Sequence, residues 1–104
     1  MIKPTIGRVV LVHRFFADGL PIACQPEPAL ICWVHDDRMI NVGGFSGFGG
    51  SFAVANLPLL QDDDLVPPGS DYAEWMPYQK QVASEQSAKV SLAALGIGND
   101  GSPA

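Results

Sequence analysis

A chain of 104 residues, 47% hydrophobic and 16% charged, has the means for one modest core and is not disordered by composition. Six Lys plus Arg against eleven Asp plus Glu leave a net charge of −5, which argues against duplex nucleic acid or an anionic membrane as a broad-surface partner. A small anion held by two or three basic groups remains compatible with that balance. No apolar run reaches the roughly 18 residues of a membrane span. The opening Met1-Ile2-Lys3-Pro4-Thr5 lacks a basic-then-apolar signal pattern, so a soluble cytosolic protein is expected.

Thr5 to Arg14 is rich in β-branched residues and predicts a strand. Alternation puts Arg8, Val10 and Val12 on one face and Val9, Leu11 and His13 on the other. Phe15 to Glu27 carries Asp18-Gly19, Pro21 and Pro26 and reads as a loop or irregular connection. Pro28 to His35 predicts a second strand and Arg38 to Val42 a third. The Asp36-Asp37 turn makes the two a hairpin. Gly43 to Gly50 holds glycine at five of its eight positions and predicts a flexible loop carrying Phe45 and Phe48. Ser51 to Leu60 predicts a fourth strand, with Pro58 placing its end at a sheet edge. Gln61 to Ser70 is a solvated turn. Its Asp62-Asp63-Asp64 run lacks EF-hand spacing and the terminal Glu, so no metal site is expected. Tyr72 to Gln79 is short, aromatic and interrupted by Pro77; it predicts a last strand whose Trp75 closes the core or a pocket mouth. Lys80 to Leu95 has helix-forming residues with a poor apolar stripe, and a frayed tail follows.

Short strands punctuated by Gly and Pro predict an all-β fold. A small, partly open SH3-like barrel of four to five strands is the first expectation and a small sandwich the second, with a short C-terminal helix. Residues 1–82 form the expected single domain and 83–104 an extension. The high apolar content and an exposed strand edge point to a homo-oligomer.

Chemistry-bearing motifs are few. Cys24 and Cys32 match no zinc spacing and read as reduced, partly buried thiols. His13 and His35 are the only imidazoles, each at the end of an apolar run. Gly-x-Ser-x-Gly and the Walker pattern are absent, and catalysis is not expected.

Three stretches carry a resemblance. They are Pro4-Thr5-Ile6-Gly7-Arg8-Val9-Val10; then Ala29-Leu30-Ile31 with Val34-His35-Asp36-Asp37-Arg38 and Ile40-Asn41-Val42; and then Glu74-Trp75-Met76-Pro77-Tyr78-Gln79-Lys80. In order and spacing the chain resembles a group of small, uncharacterised tailed-phage and prophage proteins. The last block is the most specific. The Gly-rich segment 43–50 and the residues after the block depart from the group's pattern. The resemblance implies a phage-encoded accessory protein of the host cytoplasm and brings no activity with it.

The candidate ligand-binding residues are the polar and aromatic ones near strand ends: Arg8, His13, Arg14, His35, Arg38, Asn41, Phe45, Trp75, Tyr78 and Gln79, with Trp33 beside them. Arg offers a planar fork for phosphate or carboxylate, aromatic faces stack on a base, and side-chain amides read a base edge. The plainer expectation is that Trp33 and Trp75 fill the core and that Arg8 and Arg38 pair with Asp36, Asp37 or Glu74. The functional expectation is a non-catalytic protein that sequesters a small nucleotide signal of host defence, with no cofactor and with the 43–50 loop as a lid. Two alternatives stand beside it: a virion or assembly component, and a protein inhibitor of a host enzyme.

Overall fold

The computed structural model describes residues 1–82. Five strands form a single sheet closed on itself: β1 Val9–His13, β2 Glu27–Asp36, β3 Met39–Phe45, β4 Ser51–Leu60 and β5 Tyr72–Glu74. The first four are an antiparallel meander. β5 closes the barrel by pairing antiparallel with β1 (Val12 opposite Ala73) and parallel with β4 (Leu59 opposite Ala73). The fold is therefore the small all-β barrel expected, but the sheet closes on itself where a partly open barrel with an exposed strand edge was the first expectation, and one closed sheet takes the place of the two of a sandwich.

Alternation explains the interior. Val10 and Val12 of β1, Ala29 and Ile31 of β2, Ile40 and Val42 of β3, Leu57 and Leu59 of β4, and Ala73 point inward around Trp75. Every second residue of a strand faces one side of the sheet, so five short strands suffice to line a core.

Four expectations are corrected. The first strand starts at Val9, because Thr5 to Arg8 is held as a turn by the Arg8 N–H donating to the Thr5 carbonyl. Gly43, Gly44 and Phe45 belong to β3 and not to a loop: Gly43 pairs with Leu30 and Ala53, and Gly44 with Ala29 and Phe52. Gly44 is required there, since a Cβ would collide with the Pro28 carbonyl oxygen and lie 2.8 Å from the Ala29 Cβ and from the Phe52 ring. Pro58 lies within β4, opposite Met39, and does not end the strand. The last strand stops at Glu74, and residues 77–82 form a short helix, α1. Pro77 is its first residue, a position where a missing N–H costs nothing. Gln79 Oε1 accepts from the Met76 N–H at 2.8 Å and caps that turn. The rest of the helix expected over Lys80 to Leu95, and the extension 83–104, lie outside the described residues.

Two of the three irregularities of register bear on the side chains singled out above. Between Ile31 and Trp33 the β2–β3 pairing slips by one residue. Ile31 still points inward, but Trp33 is turned outward and is 57% exposed, where strict alternation would have buried it. Across β3 a second slip accommodates Asn56 in the left-handed region (φ 52°), with its N–H donating to Asn41 Oδ1 at 2.8 Å. Cys24 and Cys32 are free thiols and both are exposed, contrary to the expected part-burial. Cys32 follows inward-facing Ile31 and so faces out; Cys24 lies on the β1–β2 connection. No helix among the described residues is long and apolar enough to cross a membrane.

Candidate functional site

At the end of the barrel where β1 begins and α1 follows β5, a cleft of about 430 Å³ is lined by Met1, Ile2, Lys3, Arg8, Tyr78, Gln79 and Val82. Its volume is in the range of small-molecule sites. Three elements meet here for identifiable reasons. Gln61, buried at the end of β4, accepts from the Ile2 N–H at 3.1 Å and donates to the Ile2 carbonyl at 2.7 Å, which pins the N-terminal segment beside the barrel mouth. Gln79 Nε2 donates to the Val9 carbonyl at 3.0 Å, which ties α1 to the first residue of β1. The Arg8 guanidinium lies over the ring of buried Trp75, 5.9 Å from its centroid.

The electrostatics of the cleft run against those of the chain. Among the described residues, none of its lining side chains is acidic. Among the described residues Lys3 and Arg8 pair with no carboxylate, whereas Arg14 and Arg38 are both bound to one. Tyr78 is 71% exposed at the rim, so its ring is available as a stacking face. Two cations without a carboxylate partner among the described residues, beside an aromatic rim, are suited to a small anion with a planar group.

Of the residues singled out in the sequence, the cleft brings together Arg8, Tyr78 and Gln79, with Trp75 below. The Gln79 amide lines the cleft but is spent at both ends, on the Met76 N–H and the Val9 carbonyl, so it does not read a base edge. Trp75 is 1% exposed; it is core, and its indole N–H donates to Gln61 Oε1 at 3.0 Å.

The other candidates lie elsewhere and have partners. His13 is hydrogen-bonded through Nε2 to Glu74 Oε2 (2.9 Å) and stacks on Tyr72 with centroids 4.5 Å apart. That couples β1 to β5 across the closing seam. Arg14 donates to both carboxylate oxygens of buried Glu27, at 2.7 and 3.0 Å, and lies 4.0 Å over the Phe52 ring. The Glu27 hydrogen bond holds the Arg14 guanidinium above its ordinary value. His35 Nε2 pairs with Asn41 Oδ1 at 3.0 Å on the outer face, where Asn41 also supports Asn56. Arg38 is bound to Asp64 at 2.8 Å, and not to Asp36 or Asp37 as expected from sequence proximity; Asp36 instead accepts from the Arg38 backbone N–H. Asp62 lies 3.1 Å from the Met1 amino group, so two of the three adjacent carboxylates are engaged by cations. Phe45 is on the outer face of β3, away from the cleft lining, and the remaining glycine-rich tip is not part of that lining either.

Sequence reasoning missed Lys3. Its only signal was a basic residue near a proline, and its place in the cleft depends on Gln61, 58 positions later, holding the strand-less N-terminal segment. No family model, curated protein or solved structure matches the chain.

Proposed function

We propose that the protein is a non-catalytic binder that captures a small nucleotide anion in the Lys3–Arg8–Tyr78 cleft. The observation that carries this reading is the pair of cations, Lys3 and Arg8, which among the described residues have no carboxylate partner and share a cleft with no acidic lining, in a chain of net charge −5. Arg8 would fork onto phosphate oxygens, Lys3 would add a second positive charge, and Tyr78 would stack on the base. Together with the resemblance of the Glu74–Lys80 block to phage proteins, this favours a phage accessory protein that withdraws a signalling nucleotide in the host cytoplasm.

Calorimetric titration with a panel of linear and cyclic nucleotides tests the reading. Binding is expected for at least one member, and the ligand is expected back unchanged after heat denaturation. Silence across the panel refutes the proposal, and a chemically altered ligand converts it to an enzyme.

One observation favours the second reading, a protein partner in the virion or in the host. Phe16, Leu20 and Ile22 are exposed together on the β1–β2 connection, at the opposite end of β1 from Arg8. Mass spectrometry of purified particles separates the two readings, because a sequestering protein is absent from them. A pull-down from host lysate addresses an enzyme target.

A further inference from the structure

The wall of the cleft that carries Tyr78 has little of its own to hold it. α1 is six residues long, where an isolated helix needs on the order of 12–15 to be even marginally stable in water. None of residues 77–82 is buried, so hydrophobic packing contributes little to its docking.

One side chain supplies what is missing. Gln79 Oε1 accepts from the Met76 N–H at 2.8 Å, which closes the first turn of α1. Its Nε2 donates to the Val9 carbonyl at 3.0 Å, a contact that spans 70 positions of sequence. Tyr78 is the preceding residue, roughly 100° around the same helix, so fixing Gln79 against the barrel also fixes the direction in which the Tyr78 ring projects. The tie is neutral, and that matters here. Elsewhere among the described residues, distant segments are joined by ion pairs: Met1 with Asp62, His13 with Glu74, Arg14 with Glu27 and Arg38 with Asp64. A carboxylate in place of the Gln79 amide would share the cleft lining with Lys3 and Arg8 and cancel part of the charge that an anion needs.

The groups that would meet a ligand ride on different elements. Lys3 follows Ile2, which Gln61 holds; Arg8 precedes β1; Tyr78 is on α1. We propose, on the reading of the cleft as a nucleotide site, that Gln79 is a positioning residue for Tyr78. It holds the ring in place before a base arrives, and so governs the share of the affinity that comes from stacking and not the share that comes from phosphate.

Titration of the full chain, followed by NMR, with adenosine 5′-monophosphate and with ribose 5-phosphate separates the two shares. Both present the same phosphate to Lys3 and Arg8, and only the first brings a base. The wild type is expected to bind the nucleotide about tenfold more tightly, the size of one base–aromatic stack. Gln79→Met keeps the length and neutrality of the side chain and removes both hydrogen bonds. It is expected to bring the nucleotide down about tenfold, to the level of the sugar phosphate, and to change the sugar phosphate less than about twofold. Tyr78→Ala, at an exposed position outside the barrel, is expected to give the same pattern, and the double variant to be no weaker than either single one. Equal losses for the two probes, an unaffected nucleotide, or losses that add in the double variant overturn the positioning role and leave the nucleotide reading standing. A wild type that binds the two probes equally overturns it as well. Silence toward every nucleotide of the panel refutes the reading itself.

Discussion

The indole N–H of Trp75 donates to Gln61 Oε1 at 3.0 Å, and both side chains are buried. The same Gln61 side chain accepts from the Ile2 N–H and donates to the carbonyls of Ile2 and Asp37. One amide thus joins the barrel floor, the N-terminal segment and the β2–β3 turn, with each of its hydrogen-bonding groups used. Gln61→Leu keeps the approximate volume but leaves the indole N–H and the backbone groups of Ile2 and Asp37 without partners. A cost of about 3 kcal/mol is expected in urea denaturation, together with faster hydrogen exchange at the Ile2 amide. A variant as stable as the wild type would show that water replaces the amide.

The cleft and the Arg38 pair are separable. Arg8→Ala and Lys3→Ala should each weaken nucleotide binding about tenfold, the size expected for losing one charge-assisted contact, with stability within about 0.5 kcal/mol of wild type. Arg38→Ala should leave binding unchanged, because Arg38 is committed to Asp64 and does not line the cleft. Calorimetry on the three variants checks this. Loss of binding in Arg38→Ala alone would move the site to the β2–β3 turn.

Asp64 gives the acid dependence a definite sign. Its hydrogen bond to Arg38, and then that from the Gln61 backbone N–H, hold its carboxyl below the ordinary value of 3.8. A group with a depressed folded-state value contributes stability above its unfolded value and loses it as pH falls through the folded one. The pair is solvent-exposed, so the effect is small and sensitive to salt. Urea midpoints of wild type and Arg38→Gln should therefore differ at pH 6 and converge below about pH 3. Curves that stay parallel through that window would show that the ion pair contributes nothing.

Adjacent glycines in β3 should respond in opposite ways. Gly44→Ala drives a methyl group into the Pro28 carbonyl, the Ala29 methyl and the Phe52 ring and should cost about 2–3 kcal/mol. Gly43→Val meets only ordinary contacts and adds a β-branched residue to a strand, so its thermal midpoint should equal or exceed that of wild type. Thermal denaturation of the two variants decides the point, and equal effects would show that the backbone shifts to absorb the methyl.

Part of the site was legible and part was not. Arg8, Tyr78 and Gln79 could be picked out because polar and aromatic residues cluster where strands end. Their partners could not. Arg38 and Asp64 are separated by two whole strands, β3 and β4, His13 and Glu74 meet only when the barrel closes, and Lys3 enters the cleft only through Gln61. Trp33 was misread for a related reason. A one-residue slip between β2 and β3 turns it outward, and a slip in pairing leaves no mark in the alternation of a single strand.

What this chain settles by itself is local: β-branched runs, turn residues and period-two alternation are properties of neighbours along the chain, and they specify a small all-β unit in which Val10 and Val12 share one face of the first strand. What only the folded barrel decides is which distant groups share a surface. Closure by the three residues of β5 and the anchoring of Ile2 by Gln61 bring Lys3 and Arg8 into one cleft with no carboxylate partner among the described residues, because ion pairing depends on distances in space that local spacing does not encode.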